Sequence, residues 1–306
     1  MSKIGIVIVT YNSGAEIGTC LDAALRTTAE IVVVDNASSD GTAGEVARRG
    51  VRFLANPTNR GFAAAVNQGF VVLDSPYILL LNPDCILMTG IEALREACDL
   101  PRAAGASGRL VDNHGKLQTG FMVRRLPRPS TLIMEALLLN RFWPGNPVNK
   151  RYRQFDLDHA CRTDVEQPAG AFLMVRRTVW QELGGFDEGF WPLWFEDVDF
   201  CRRIIDQGYR LFYVPEAVAK HRGAHSISQL TLEMRQLYWY RNLIRYSARH
   251  FRPLHLRAVC LAVVAGSFLR MLGDFVRQRS LQPIAAYGKV IRLASRCFLF
   301  GGVTRI

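Results

Sequence analysis

Two neighbouring carboxylates, Glu196 and Asp197, follow a turn crowded with aromatic side chains (Phe190, Trp191, Trp194, Phe195). A general base needs a carboxylate near a reacting hydroxyl, with its pKa drawn upward by partial burial. An aromatic turn can exclude water, so one acid of the pair suits the base and the other suits orienting an acceptor. The plainer reading is that acids in a first helical turn only complement the helix dipole. A second set is Asp84 and His221. A hard divalent cation such as Mg²⁺ takes oxygen ligands and binds diphosphates through few protein groups. Asp84 meets that need, and an added imidazole tilts such a site towards Mn²⁺. A lone histidine is more often structural, and His225 is a turn neighbour as readily as a ligand. Polar residues also stand together at Thr10-Tyr11-Asn12, Asp35-Asn36 and Asn82-Pro83-Asp84.

These groups need elements to position them. The first 110 residues alternate apolar runs with helical spacing. Strand-like runs cover 4–9, 31–34, 51–54 and 77–81, and helix-like stretches cover 13–27, 43–49, 62–73 and 91–98. Continuous apolar strands separated by helices predict a mostly parallel sheet covered on both faces. Ligands bind beyond the carboxyl ends of such strands. Each of the three polar clusters directly follows a predicted strand, so all three face one cleft or, more plainly, Asn12, Asn36, Ser38 and Asp40 are turn and cap residues. From about 112 to 167 the pattern is irregular. Within it, 131–143 is almost wholly apolar and reads equally as a core helix or a greasy surface. A strand is expected over 168–176, a short helix over 179–183 and a strand over 211–214. In the helix that begins at Glu196, Val198, Cys201, Ile204 and Ile205 share one face and Gly208 ends it. Helical stretches follow at 229–250, 254–279 and 284–299.

The 306 residues are 49% hydrophobic, which excludes intrinsic disorder. The seven cysteines form no C-x-x-C or zinc spacing and read as buried or free thiols. The run IGIVIV is too short for a signal-peptide core, so no export is expected. The loop TYNSGAE lacks the glycines of a dinucleotide site, and no P-loop is present. The net charge of +11 is uneven: residues 234–306 carry thirteen Lys/Arg against the single acid Asp274, and the remainder is close to neutral. Such a tail suggests an anionic partner, a membrane surface or a nucleic acid. Tyr238, Trp239, Tyr240 and Tyr246 would stack bases in the second case and fit a helix core otherwise. The apolar stretch 258–269 is too short to span a bilayer but can lie in its interface between Arg257 and Arg270.

Taken together, IVIVTYNS (6–13), IVVVDNASSDGT (31–42), NPTNRGFAAAVNQG (56–69), LLLNPD (79–84), QPAGAFLMVRR (167–177), LGGFDEGFWPLWFEDVDFCRR (183–203) and HRGAHS (221–226) resemble the family-two glycosyltransferases of the GT-A fold. The segments span about 220 residues in order. The NRGFAAAVNQG and LNPD forms look most like the rhamnosyltransferase-type branch, which builds bacterial cell-surface polysaccharides.

The resemblance implies an α/β fold of GT-A type with a mostly parallel central sheet flanked by helices and a C-terminal helical extension. The catalytic domain would be 1–228, and 229–306 a basic helical region associating with the membrane. Thr10, Tyr11 and Asn12 would line the nucleotide pocket, and Asp35 would accept a hydrogen bond from a pyrimidine N–H. Arg60 would face the nucleotide-sugar, with Gly61 allowing close approach. Asn82 stands where the family has the first acid of Asp-x-Asp, so Asp84, with His221, would carry Mg²⁺ or Mn²⁺. Asp197 would be the base of an inverting displacement, with Glu196 and Trp194 touching the acceptor. The implied partners are a nucleotide-diphosphate sugar (dTDP-L-rhamnose, or a UDP-sugar in the same style of pocket) and a lipid-linked saccharide. The implied place is cytoplasmic, peripheral on the inner face of the cell membrane, and no nucleic acid is expected. A nucleotide-sugar binder that has lost catalysis is the alternative kept open by Asn82.

Overall fold

The computed structural model describes residues 3–223 and 230–301. They fall into two compact units, one of Met1–Leu126 with Arg153–Ser226, the other of Pro127–Tyr152 with Ile227–Ile306.

In the first unit the chain runs β1 (Ile4–Thr10), α1 (Ile17–Ala24), β2 (Glu30–Asp35), α2 (Thr42–Ala47), β3 (Arg52–Ala55), α3 (Phe62–Val72), β4 (Tyr77–Leu81), β5 (Cys85–Thr89), α4 (Ile91–Cys98), β6 (Ala103–Val111) and β7 (Val123–Arg124). After α5 (Pro129–Ala136), α6 (Leu139–Phe142) and α7 (Pro147–Arg153), it continues through β8 (Thr163–Val165), β9 (Gln167–Pro168), β10 (Phe172–Arg176), α8 (Arg177–Glu182), α9 (Glu196–Asp206) and β11 (Arg210–His221). The nine-stranded sheet has the order β3-β2-β1-β4-β10-β6-β11-β5, with β8 also on β11. Pairing is parallel along β3-β2-β1-β4 and between β6 and β11. Strands β10, β5 and β8 run antiparallel to their neighbours. The continuous apolar runs of β1, β2 and β4 are buried because helices cover both faces.

Two parts of this sheet escape the sequence pattern. The run AAGASGRLV of β6 is small-residue rather than β-branched, yet it is almost wholly buried. Strand β10 joins from far along the chain, pairing Phe172 with Leu81 and Leu173 with Ser107. It brings the loop before it against the end of β4.

The second unit contains α5, α10 (Leu232–His250), α11 (Pro253–Gln278) and α12 (Gln282–Phe300). The units divide at Ser226/Ile227, beside the boundary expected at 228, and residues 127–152 cluster with the C-terminal helices as well. The reason is the close seat of α5 on α11. A Cβ on Gly266 would run into the Ala136 carbonyl oxygen, and Arg270 donates to the carbonyl oxygens of Ala136 and Glu135. The apolar stretch 131–143 is thus divided, with Thr131, Leu132 and Ala136 in the core and Phe142 and Trp143 exposed. Tyr240 and Tyr246, considered above as stacking residues, are buried.

Helix α11 also corrects an expectation. It runs for 26 residues and, with a mean hydropathy of 1.8 over eighteen of them, is long and apolar enough to cross a membrane. Counting only the uninterrupted apolar run missed this, because the helix continues through Arg257 and Arg270. One face (Leu256, Val259, Cys260, Val263, Ser267) is buried, whereas Leu261, Phe268, Leu269, Leu272 and Val276 are exposed.

Candidate active site

The ends of β1 and β2 are locked together. Thr10 pairs in register with Asp35, and its hydroxyl donates to Asp35 Oδ1 at 2.7 Å. The Ser38 N–H donates to Asp35 Oδ2 at 2.8 Å. The Asn12 N–H donates to Ser38 Oγ, and Asn12 Oδ1 accepts from the Ser39 N–H, each at 2.8 Å. Asp40 accepts from the N–H groups of Gly14 and Thr42. Ser38 and Asp40 therefore tie the loop, as the plainer reading had it, and Asp35 is buried with both oxygens engaged. Tyr11 is exposed beside them.

From Asp35 a chain of contacts leads round the strand ends. The Asn36 N–H donates to the Thr10 carbonyl oxygen, and Asn36 Nδ2 to that of Gly61 at 3.1 Å. Gly61 has φ +86°, and a Cβ there would lie 2.7 Å from Trp191 Cδ1. Gly61 thus lies closely against Trp191 of the aromatic turn. The next residue, Phe62, donates its N–H to the Pro192 carbonyl oxygen at 2.7 Å. Arg60 is exposed.

The aromatic turn leads into α9. Trp194 and Phe195 both have left-handed backbones, at φ 75° and 72°. Non-glycine residues hold such conformations at a cost and concentrate at functional sites. The turn and helix are braced by Arg203, which donates to buried Asp199 and to the carbonyl oxygens of Leu183 and Gly185. Asn67 on α3 grips Phe186 through both backbone polar groups. Glu196 and Asp197 thus open a helix fixed at several points. Asp197 Oδ2 accepts from the Gly170 N–H at 3.2 Å, and Oδ1 from the Val198 N–H at 2.8 Å. Burial raises the Asp197 carboxyl above the ordinary range. Glu196 is buried, and its Oε2 has no hydrogen-bond partner among the described residues. Burial first, and the neighbouring Asp197 charge second, push it well above that range.

Asp197 and Asp84 approach the same turn. Gly170, which holds Asp197, precedes Ala171, whose carbonyl oxygen accepts from the Asn82 N–H at 3.0 Å. Asp84 is two residues further on. Its Oδ2 accepts from the Gly223 N–H at 2.9 Å, and its Oδ1 lies 3.6 Å from His221 Nε2. His221 pairs with Cys85 across β11 and β5. Ligand atoms of Asp84, Cys85 and His221 all lie within 4.8 Å of one another. The fit to a hard cation is nonetheless that of Asp84 and His221. Burial holds the Cys85 thiol protonated, and its Sγ is turned to the Ala171 carbonyl oxygen. Burial also lowers the His221 pKa against the pull of Asp84, the direction that favours the neutral imidazole a cation needs. Beside Asp84 lies a recess of about 180 Å³, lined in part by Glu16, Thr19, Asn113, Lys220 and Arg222. His225 lies outside the described residues.

Residues 5–184 match the model of Glycosyl transferase family 2, and residues 154–293 that of Glycosyl transferase family group 2. The chain belongs to glycosyl transferase family 2. The second match includes Glu196 and Asp197, which lie beyond the first. The chain is 33% identical over 239 residues to the N-acetylglucosaminyl-diphospho-decaprenol L-rhamnosyltransferase of Mycobacterium tuberculosis, covering 72% of this chain and 76% of that one. It is 31% identical over 173 residues to rhamnosyltransferase WbbL of Escherichia coli, covering 55% and 60%. Among solved structures, it resembles the Pyrobaculum calidifontis mannosyltransferase PcManGT in complex with GDP-Man and Mn²⁺, with TM-score 0.56, 16% identity and coverage of 98% and 88%. Staphylococcus aureus TarS is also similar (TM-score 0.52, 14%, 99% and 93%). The fold is that of the GT-A glycosyltransferases, and the family-2 chain is a glycosyltransferase.

Sequence reasoning missed Gly170, Asn67, Arg203 and, near His221, Gln118 and Phe121. Only Arg203 had a local signal, four residues after Asp199 on one helix face. The others act across long sequence separations.

Proposed function

We propose that this family-2 glycosyltransferase moves an L-rhamnosyl group from a nucleoside-diphosphate donor to a hydroxyl of a lipid-linked saccharide in cell-surface polysaccharide synthesis. The names of the rhamnosyltransferases it is similar to support the sugar, and the M. tuberculosis relative's name supports a diphospholipid acceptor. The observation that carries the reaction is Asp197, a carboxylate of raised pKa held by the Gly170 N–H beside the Asn82-Pro83-Asp84 turn.

Thr10, Tyr11, Asn12 and Asp35 form the nucleotide end of the site, with Arg60 and Asn82 towards the sugar and diphosphate. Asp84 and His221 would hold Mg²⁺ or Mn²⁺, which supplies charge neutralisation for the departing diphosphate. Trp194 and Glu196 orient the acceptor. Asp197 Oδ takes the acceptor hydroxyl proton as that oxygen attacks the anomeric carbon, and the bond to the diphosphate oxygen breaks on the opposite face. One displacement inverts the carbon, so the mechanism needs no covalent enzyme intermediate, and positioning and electrostatics supply the rate.

The basic helical region meets the acceptor's membrane at its inner face. Lying on the surface suits α11 better than spanning. Its buried face packs on α12, which carries Lys289, Arg292 and Arg296 and would have to enter the bilayer with it. The test measures nucleoside-diphosphate release from dTDP-L-rhamnose and a panel of UDP-sugars, with Asp197→Asn alongside. Release from dTDP-L-rhamnose, lowered about 10²–10⁴-fold in the variant, is expected. Equal turnover by Asp197→Asn would remove the base. Donor-induced thermal stabilisation without any release would favour the binding protein that Asn82 suggests.

A further inference from the structure

Gln118 meets β11 with both ends of its amide. Its Nε2 donates to the His221 carbonyl oxygen at 2.8 Å, and its Oε1 lies 2.9 Å from His221 Nδ1. These two contacts determine the chemical form of the ring. A backbone carbonyl oxygen only accepts, so the amide must turn its NH₂ towards it and its Oε1 towards the imidazole. Oε1 also only accepts, so Nδ1 carries the proton. A neutral imidazole has one N–H, which leaves the lone pair on Nε2, the nitrogen 3.6 Å from Asp84 Oδ1.

The support for Gln118 is itself anchored. Its N–H donates to the Leu110 carbonyl oxygen in β6 at 3.0 Å, and its carbonyl oxygen accepts from the N–H groups of Phe121 and Met122. The Phe121 ring, carried by that same turn, stacks on the imidazole with centroids 5.2 Å apart and planes 12° apart. One short segment therefore sets the proton, the in-plane angle and the face of a single side chain. A tether for the end of β11 would need only the bond to the His221 carbonyl oxygen.

We propose that Gln118 is a positioning residue for the cation site: it selects the Nδ1–H tautomer of His221 and aims Nε2 beside Asp84. Ligating imidazoles are commonly oriented by a carboxylate or a carbonyl in this way; here a side-chain amide takes that place. The inference rests on the reading of Asp84 and His221 as the cation site.

The test uses the full chain. Long-range ¹⁵N–¹H NMR of the metal-free parent reads the His221 tautomer directly, and a protonated Nδ1 with a bare Nε2 is expected. Gln118→Met keeps the volume without the hydrogen bonds and should mix the two tautomers. Gln118→Glu gives up the donor to the His221 carbonyl oxygen but keeps an acceptor at Nδ1, so the Nδ1–H tautomer should persist in it. Titration with Mn²⁺ alone, followed by electron paramagnetic resonance, should show about 10–100-fold weaker binding in Gln118→Met. A parent ring protonated on Nε2 overturns the proposal even if the variants do not fold. Parent-like Mn²⁺ binding by a folded Gln118→Met overturns it too. If Asp84→Asn and His221→Ala both leave Mn²⁺ binding unchanged, the cation site itself has failed and the positioning role falls with it, a result distinct from failure at Gln118 alone.

Discussion

Replacing Gly61 with alanine tests how the loop before α3 is joined to the aromatic turn. Gly61 has φ 86° and ψ 161°, a region essentially restricted to glycine, where another residue costs about 1–3 kcal/mol. The added Cβ would also lie 2.7 Å from Trp191 Cδ1 and 3.3 Å from the Pro192 carbonyl oxygen. Forcing a carbon into a packed contact costs about 1–3 kcal/mol more. The sum, about 2–6 kcal/mol, is a large part of the roughly 5–15 kcal/mol that holds a native protein together. The molecule can shed some of that load only by moving Trp191, which disturbs the Phe62 N–H bond to the Pro192 carbonyl oxygen. Gly50→Ala separates the two costs. Gly50 has φ +63° with nothing within 4 Å of the added carbon, so only the left-handed backbone cost of about 1–2 kcal/mol applies. Urea unfolding of both variants should show Gly61→Ala at least about 1 kcal/mol less stable than Gly50→Ala. Its kcat/KM should fall as well, because the turn leads directly to Asp197. Equal losses of stability in the two variants would refute the claim that Trp191 occupies the space beside Gly61.

The buried Glu196 carboxyl is held protonated in the fold and ionises at the ordinary range when unfolded. Its contribution is therefore complete below the unfolded pKa and declines as pH rises from there towards the raised folded value. Glu196→Gln removes that decline, so its melting temperature should gain on the parent steadily above about pH 4.5; a gap that does not change with pH would contradict the burial argument. Arg203→Met takes the cation from fully buried Asp199 and two carbonyl oxygens from their donor. It should cost about 3–5 kcal/mol in chemical unfolding, and a loss below about 1 kcal/mol would show that α9 is braced elsewhere. Leu269→Ser with Leu272→Ser removes two exposed apolar side chains from α11. At about 1.5–3 kcal/mol per side chain for full burial, vesicle sedimentation should show binding at least about tenfold weaker, and unchanged binding would mean that this face does not enter lipid.

What the sequence made legible was whatever depends on neighbours in the chain. The apolar runs of β1, β2 and β4 and the spacing of α9 specify their elements locally, and polar residues directly after buried strands placed Asp35 and Asp84. The antiparallel insertion of β10 was not legible, because an apolar strand carries no mark of which partners it will join. Nor was the division of 127–152 from its flanks, which depends on Gly266 meeting the Ala136 backbone 130 residues away. Gln118 had no pattern at all: a single glutamine in an irregular stretch becomes informative only when β11 brings His221 to it.

The same limit explains why residue type alone could not assign roles among the acids. Asp35 and Glu196 are both buried carboxyls at the edge of one site. Asp35 receives the Thr10 hydroxyl and the Ser38 N–H, and so holds two strand ends together. Glu196 has an oxygen with no hydrogen-bond partner among the described residues, beside another acid. Two donors make Asp35 a tie between strand ends, whereas burial and the neighbouring Asp197 charge outweigh the one backbone donor of Glu196 and raise its carboxyl. Asp197 stands between these cases, with two backbone N–H groups partly offsetting its burial. A base must hold a negative charge before it accepts a proton, and must still accept one readily. The surroundings of Asp197 meet both needs, and they are the physical ground of the proposal that it takes the acceptor's proton.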